Sequence, residues 1–191
     1  AETILNEVPS GVLAPEEAAM MVVDYVAPAL DTTILASAHM LWRLGTTPGT
    51  FDQLKANPDL VPSLVNESVR LASPIREFTR YAAEDYATDT GTIPAGSRVA
   101  MLYASANWDE RHYAHADQFQ IDRNPRDHVG WGHGQHSCAG MHLARMEMEA
   151  LARAMVKHVT SVETDSPTPI LNNVLQGFAA LPSRFRQFAP T

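Results

Sequence analysis

Gly130-Trp131-Gly132-His133-Gly134-Gln135-His136-Ser137-Cys138-Ala139-Gly140-Met141-His142-Leu143-Ala144-Arg145 is the stretch around which the rest of the sequence is organised. Gly132 and Gly134 permit backbone turns that side-chain-bearing residues resist. Cys138, the only cysteine, stands where a helical pattern begins: Met141, Leu143, Ala144, Met148, Leu151 and Ala152 follow at helical spacing. A thiol at a helix N-terminus meets the positive end of the dipole and free backbone N–H groups, and both favour the metal-binding thiolate. A lone cysteine is more often a small buried hydrophobe. The glycines, His136 and the helix start are what turn the reading toward ligation. A transition-metal site made from His133, His136 and Cys138 is a second reading of the same residues, though it offers no fourth ligand.

The segment leading into this stretch, Glu110 to Val129, is polar and carries Arg111, His112, His115, Arg123 and Arg126. Such a run ordinarily forms a solvated loop. Behind it, Met141 to about His158 is predicted as a helix. The tail alternates short apolar runs with Pro167, Pro169 and Pro182, predicting small strands and turns.

Whole-chain properties narrow the classes. The 191 residues suffice for one domain with a real core. Fourteen basic against 22 acidic residues give a net charge of −8, which argues against nucleic acid as a partner. One cysteine excludes an internal disulfide and fits a reducing compartment. Residues 1–14 lack the basic start and apolar run of a secretory signal. The longest apolar region, Met20 to Leu44, is interrupted by Asp24, Asp31, His39 and Arg43, so it does not read as a membrane span. The expectation is a soluble, cytoplasmic protein.

Pro15-Glu16-Glu17 predicts a helix start, because proline suits the first turn and acids suit its dipole. That helix is expected to reach Gly45. Met20, Met21, Val22, Val23, Val26, Leu30, Ile34 and Leu35 cover most of its circumference, predicting a buried central helix. Pro28 withholds the bond expected by the Asp24 carbonyl, so a kink or opening is predicted there. Asp31 and Thr32 follow at once, placing an acid and a hydroxyl in an apolar setting. Either they form a site, or Asp31 pairs with an arginine and Thr32 bonds back within the helix.

Thr50 to Ala56 predicts a short helix, and Asn57-Pro58-Asp59 caps another that runs to about Leu71. On it Glu67 and Arg70 stand three apart on one face. Phe78 to Ala83 has strand character, and Thr92 to Tyr103 reads as a strand or hairpin turning at Pro94-Ala95-Gly96.

Trp131, Gly134, His136, Cys138 and Gly140 fill, in order, the pattern aromatic-x-x-Gly-x-His-x-Cys-x-Gly. In this the chain resembles the cytochrome P-450 family, with tryptophan where phenylalanine is usual. Asp31-Thr32-Thr33 is similar to the acid-Thr-Thr of the family's long distal helix, with Pro28 and Ala29 where small residues, commonly a second-place glycine, are found. Glu67-x-x-Arg70 resembles the family's Glu-x-x-Arg, and the three motifs occur in the family's order. Ala106-Asn107-Trp108-Asp109 resembles the family's Ala-Asn-x-Asp, which implies a short helix over Ala104 to Trp108. The resemblance implies a mainly α fold with small β-sheets, the C-terminal half of the family's architecture. Residues 1–191 would form a single haem-binding domain fragment whose N-terminal half is a missing partner.

The resemblance further implies haem b as cofactor, with Cys138 as axial thiolate; thiolate ligation favours O–O cleavage. Trp131, Gly132, Gly134, His136 and Gly140 would form the haem loop and Ala29 the groove for dioxygen. Arg80 would bind a haem propionate, for which guanidinium–carboxylate pairing is the physical reason. Asp31 and Thr32 would deliver protons to bound dioxygen. Ile75, Phe78 and Thr79 would face a small-molecule substrate, joined by Phe178 from the Gly177–Pro182 tip. Arg76, an unusual charge in that segment, is open between substrate, propionate and water. Glu67, Arg70 and Arg123 would lock the core to the loop before the cysteine. The implied activity is a monooxygenase fed by a ferredoxin or a flavin/iron–sulfur reductase, which the basic residues of Arg111–Arg126 would help to dock. Y-V-A-P-A-L-D-T-T together with S-P-I-R-E-F-T-R resembles the branch that demethylates methoxy-aromatics such as guaiacol. A haem-binding but non-catalytic fragment, or a non-haem metal protein, are the alternatives.

Overall fold

Helix α2 (Pro15–Thr46) is the longest element of the computed structural model, which describes residues 2–188. It begins as its sequence dictates. Pro15 occupies the first turn, and the Glu17 carboxylate accepts a 2.8 Å hydrogen bond from the Ala14 N–H, since Ala14 has no side-chain acceptor of its own. A short helix α1 (Glu2–Leu5) and turns precede it. α2 runs on through Pro28 without the opening that was one of the two outcomes expected there. The carbonyl deprived of a partner belongs to exposed Asp24, where water can satisfy it, so the cost is one rung of the ladder.

The expectation of a buried central helix holds for only part of its length. Leu35, Ala36, His39, Met40 and Leu44 are buried, whereas Val26, Leu30 and Ile34 form a stripe left 53%, 62% and 64% exposed. Among the described residues, the closing elements pack on the C-terminal half of α2.

Those elements are α3 (Thr50–Ala56), a 3₁₀ turn at Pro58–Leu60, α4 (Val61–Ala72), α5 (Tyr103–Asn107) and α6 (Met141–His158). Asn57 caps the 3₁₀ turn by accepting from the Asp59 N–H at 3.3 Å. Helix α4 contacts α2, α5 and α6, and nearly all its residues are buried. Met40, Leu44, Leu54, Leu64, Val65, Leu71, Met148 and Ala152 form the centre of the apolar core.

Four two-stranded antiparallel sheets surround this helical core: β1 (Phe78–Tyr81) with β4 (Arg98–Met101), β2 (Tyr86–Thr88) with β3 (Gly91–Ile93), β5 (Val159–Thr164) with β8 (Ser183–Gln187), and β6 (Thr168–Pro169) with β7 (Phe178–Ala180). The hairpin expected across Pro94-Ala95-Gly96 does not form. β3 turns back on β2, and β4 crosses to β1, pairing Phe78 with Met101 and Arg80 with Val99. Pairing is chosen by what each strand can bury, and local turn chemistry does not reveal that.

Residues 110–128 contain no regular element, yet Tyr113, Ala116, Phe119, Ile121, Pro125 and His128 are buried. The polar composition that predicts a solvated loop instead wraps a thin apolar seam onto α4.

Candidate functional site

The Cys138 loop is built from two short 3₁₀ turns, Val129–Trp131 and Gly134–His136, ahead of α6. Gly132 and Gly134 take φ of +70° and +63°, the left-handed region that glycine enters at little cost. At Gly132 a Cβ would also stand 2.6 Å from the His136 carbonyl oxygen. The Cys138 N–H donates to the Trp131 carbonyl at 2.7 Å, closing the loop, and the Cys138 carbonyl accepts from the Met141 N–H at 3.3 Å. Cys138 is exposed, as are His133, Gly134, His136 and Gly140, while Trp131 packs against the core. The alternative metal reading is corrected here: among the described residues no three His, Cys, Asp or Glu side chains are placed to hold a metal ion. The turns that free the thiol do not gather His133 and His136 around it.

The loop is anchored from below by an ion cluster. Arg70 Nε and Nη2 donate to the two Glu67 oxygens, each at 2.8 Å, and both side chains have no exposed surface. Arg70 Nη1 also donates to the carbonyls of Asn107 (2.7 Å) and Ala116 (2.8 Å). Glu67 Oε1 accepts from the Gln120 N–H at 3.1 Å and from Arg123 Nε at 3.2 Å. Arg123 reaches on to the Ala114 and His115 carbonyls at 2.7 and 3.0 Å. A buried charge pair is tolerated only when its remaining donors and acceptors are satisfied, and here the irregular chain of 107–123 satisfies them.

Asn107 carries the anchoring forward. Its Nδ2 donates to Ser73 Oγ at 2.9 Å, and its Oδ1 accepts from the Val129 N–H at 2.8 Å, one residue before the Gly130–Arg145 stretch. The sequence singled out Ala104–Trp108 as a helix but not Asn107 as a connector. No local signal distinguishes a buried asparagine from a surface one.

Two segments far apart in sequence meet each other, and the second of them packs on α2. The Gln176 N–H donates to the Pro74 carbonyl (2.9 Å) and the Arg76 N–H to that of Val174 (2.8 Å), with a β-bridge between Ile75 and Leu175. Gly177 lies so close to α2 that a Cβ there would meet Leu35 Cδ2 at 2.5 Å. Phe178 stacks on His39 (ring centroids 6.1 Å) and meets Trp42 edge-on (5.4 Å). Ile75 and Thr79 are half-buried and Phe78 is exposed. Arg80, half-buried, donates from Nη1 to the Thr79 carbonyl at 3.0 Å. Asp31 and Ala29 are exposed, which corrects the expected apolar setting of the acid. Thr32 Oγ1 donates to the Pro28 carbonyl at 2.9 Å.

Two buried imidazoles are held neutral. Burial, reinforced by Arg43, lowers His39 to about 3. Burial, reinforced by Arg145 and Arg70, lowers His128 to about 4. His128 Nδ1 accepts from the Gly130 N–H at 3.1 Å, so its proton sits on Nε2. On the loop's outer surface His112 Nε2 lies 2.6 Å from Asp127 Oδ2, and the imidazole contact is the main cause holding that carboxyl below its ordinary value.

A family model for cytochrome P450 matches residues 3–186. The chain belongs to the cytochrome P450 family, whose members are haem-thiolate iron proteins. It is 35% identical over 174 residues to cytochrome p450 CYP199A2 of Rhodopseudomonas palustris, covering 91% of this chain and 42% of that protein. It is 38% identical over 151 residues to the beta-dihydromenaquinone-9 omega-hydroxylase of Mycobacterium tuberculosis, covering 76% of this chain and 31% of the relative. CYP108D1 of Novosphingobium aromaticivorans superposes with a TM-score of 0.79 at 33% identity, over 83% of this chain and 39% of that one. The chain thus spans less than half the length of the curated relatives it matches.

The residues present fit a haem. Its thiolate ligand needs an open sulfur, and at Gly140 an added Cβ would meet only Cys138 Sγ, at 3.9 Å. Its carboxylates need a cation, and Arg80 has donors to spare beyond its one carbonyl.

Proposed function

We propose that this chain is the haem-bearing part of a soluble, cytoplasmic haem-thiolate monooxygenase that hydroxylates or O-demethylates a small methoxy-aromatic molecule. Dioxygen is the co-substrate, and a ferredoxin or a flavin/iron–sulfur reductase supplies electrons. The observation that carries this reading is an exposed thiol on a loop tied down by a fully satisfied buried ion cluster. A chain that invests so much in fixing a loop while leaving its cysteine open is presenting the sulfur to something. The hydroxylase among its relatives supports the oxygenase chemistry, and Y-V-A-P-A-L-D-T-T with S-P-I-R-E-F-T-R supports the aromatic branch.

Bound against Cys138, the haem would supply the oxygen-activating chemistry. The chain's own residues do the rest. Cys138 gives the thiolate, with Trp131, Gly132, Gly134 and His136 shaping its loop and Gly140 keeping the sulfur accessible. Arg80 pairs with a propionate. Asp31, open to water, takes up protons and passes them to Thr32 Oγ1, which must turn from the Pro28 carbonyl to hand them on; Ala29, one residue after Pro28, leaves room there. Ile75, Phe78 and Thr79 bound the substrate, and Phe178 braces that wall against α2. Glu67, Arg70 and Arg123 hold the scaffold. The stripe at Val26, Leu30 and Ile34 is completed by a further part of the fold, since contiguous apolar surface of this kind marks an interface.

The reduced carbonyl spectrum of the complete, haem-loaded protein tests this. A thiolate-type red-shifted Soret band is expected, moving to the histidine-ligated position in Cys138→His. A spectrum indifferent to that substitution overturns the assignment. The Thr32–Pro28 hydrogen bond favours a second reading, a haem-binding chain without catalysis. Product formation by the same preparation separates the two.

A further inference from the structure

Helix α4 ends on a residue type that its backbone does not favour. Ser73 caps it with φ +36° and ψ +63°, in the left-handed region, and its N–H donates to the Val69 carbonyl at 2.9 Å. Glycine ordinarily fills such a cap, because a side chain there costs energy. The proline that follows adds to the mismatch, since it favours an extended residue before it. Ser73 is also fully buried.

Its hydroxyl is what a glycine would lack. Ser73 Oγ donates to the Arg70 carbonyl at 2.8 Å and accepts from Asn107 Nδ2 at 2.9 Å. Asn107, buried as well, is fixed from two further sides. Its carbonyl accepts from Arg70 Nη1 at 2.7 Å, and its Oδ1 accepts from the Val129 N–H at 2.8 Å. The chain that leaves Ser73 is held as firmly. The Pro74 carbonyl accepts from the Gln176 N–H at 2.9 Å, and the Arg76 carbonyl accepts from the Ala104 N–H at 3.1 Å. Ala104 and Asn107 belong to the same helix, α5, so that one helix grips both Ser73 and the segment beyond it.

A left-handed residue other than glycine persists only where its surroundings over-determine it, and such residues gather at functional sites. Here the turn at Ser73 sets the direction in which the chain leaves the sealed Glu67–Arg70 cluster for Ile75 and Thr79. We infer that Ser73 is a positioning residue whose hydroxyl, clamped between Arg70 and Asn107, holds the strained turn that aims the substrate wall. Asn107 ties the same clamp to the Cys138 loop through Val129, so wall and loop are set from one point. This rests on the monooxygenase reading above and adds to it the device that registers its substrate side against its thiolate side.

Amide hydrogen exchange at Arg76 and Gln176 in the complete, haem-loaded protein tests the clamp, and turnover of guaiacol tests its use. In Ser73→Ala the strain stays and the hydroxyl goes, so both amides should exchange roughly 10- to 100-fold faster. The KM for guaiacol should then rise more than kcat falls. Ser73→Gly loses the same hydroxyl but makes the turn without strain, so protection and KM should stay within about threefold of the parent. Asn107→Ala releases the hydroxyl from its other side. Combined with Ser73→Ala it should loosen the wall by less than the product of the two single effects, because the pair acts through a shared bond. Equal loosening in Ser73→Ala and Ser73→Gly overturns the proposal, since only a missing hydrogen bond would then be at work. So does parental exchange in Ser73→Ala, or independent effects in the double variant. Should Asn107→Ala not fold, the alanine and glycine variants of Ser73 decide alone. A parent with the thiolate-type carbonyl spectrum that does not bind guaiacol overturns the wall, and the role of Ser73 with it. A parent lacking that spectrum sinks the monooxygenase reading, while exchange in the two Ser73 variants still judges the clamp.

Discussion

The Glu67–Arg70 cluster and the Cys138 loop are joined by one irregular stretch of chain, and they present opposite surfaces. Glu67 and Arg70 have no exposed surface and every hydrogen-bonding group engaged. Cys138 is exposed, and its backbone hydrogen bonds go to Trp131 and Met141 on either side of it in the chain. The first region is complete within the chain. The second is finished only by what binds there. The same contrast runs along α2, from the buried Leu35–Leu44 half to the open Val26–Ile34 face. Rigidity is built where the chain can satisfy itself, and reactivity is placed where it does not.

The sharpest break of this comparison is Cys138→His, which should abolish turnover in the complete enzyme while leaving the thermal unfolding of the haem-free chain unchanged. If unfolding shifts as well, the loop is part of the scaffold and the contrast is false. Next come the acid and the alcohol. Asp31→Asn should slow product formation by ~10²–10⁴-fold, the usual range for a positioned acid. Thr32→Ala should keep consuming reductant but release hydrogen peroxide in place of product. Haem content, product, peroxide and reductant measured together check both, and parental rate and coupling in both would return α2 to a purely structural role.

Arg70→Ala attacks the closed region. It leaves the buried Glu67 carboxylate with only Arg123 and the Gln120 N–H, both on one oxygen, and removing one partner of a buried pair costs about 3–5 kcal/mol. Urea unfolding measures this. A loss near 1 kcal/mol would mean that the cluster is not the anchor its geometry suggests.

The buried imidazoles predict an acid limit. His39 and His128 bind protons more weakly folded than unfolded, about 3 and about 4 against 6.5. The unfolded chain therefore takes up more protons between roughly pH 6.5 and 4, and stability falls as pH falls through that window, by a few kcal/mol at ~1.4 kcal/mol per pKa unit. His128→Gln should flatten the pH dependence of urea unfolding there; an unchanged slope would show that His128 is not desolvated. The smallest effect is expected at the surface. His112 and Asp127 are both more than half exposed, so Asp127→Asn should alter stability by less than about 1 kcal/mol, and a larger loss would place that pair with the closed region.

The elements closest to their predicted bounds are α2, α3 and α6, whereas α4 begins three residues beyond Pro58, because Asn57 caps a 3₁₀ turn and not the helix itself. The sheets were less legible. Pro94-Ala95-Gly96 is a turn, but local sequence does not disclose that the strand after it pairs with Phe78–Tyr81 and not with the strand before it. The loop of 110–128 misleads for a related reason: its polar residues are a majority, and the few apolar ones that fix it are recognisable only against α4. In the candidate site, Cys138 and its glycines stand out because their geometry is local, whereas Asn107 and His128 do not.

The sequence by itself determined the helices, the turns at Gly132 and Gly134, and the identity of a chain that offers one thiol ahead of a helix, because dihedral preferences and apolar periodicity act over a few residues. Only the tertiary structure decided that Glu67 and Arg70 are sealed from water, that Ile75 bridges to Leu175, and that Gly177 closes on Leu35. Burial and charge compensation depend on which distant segments come together, and no residue carries that information alone.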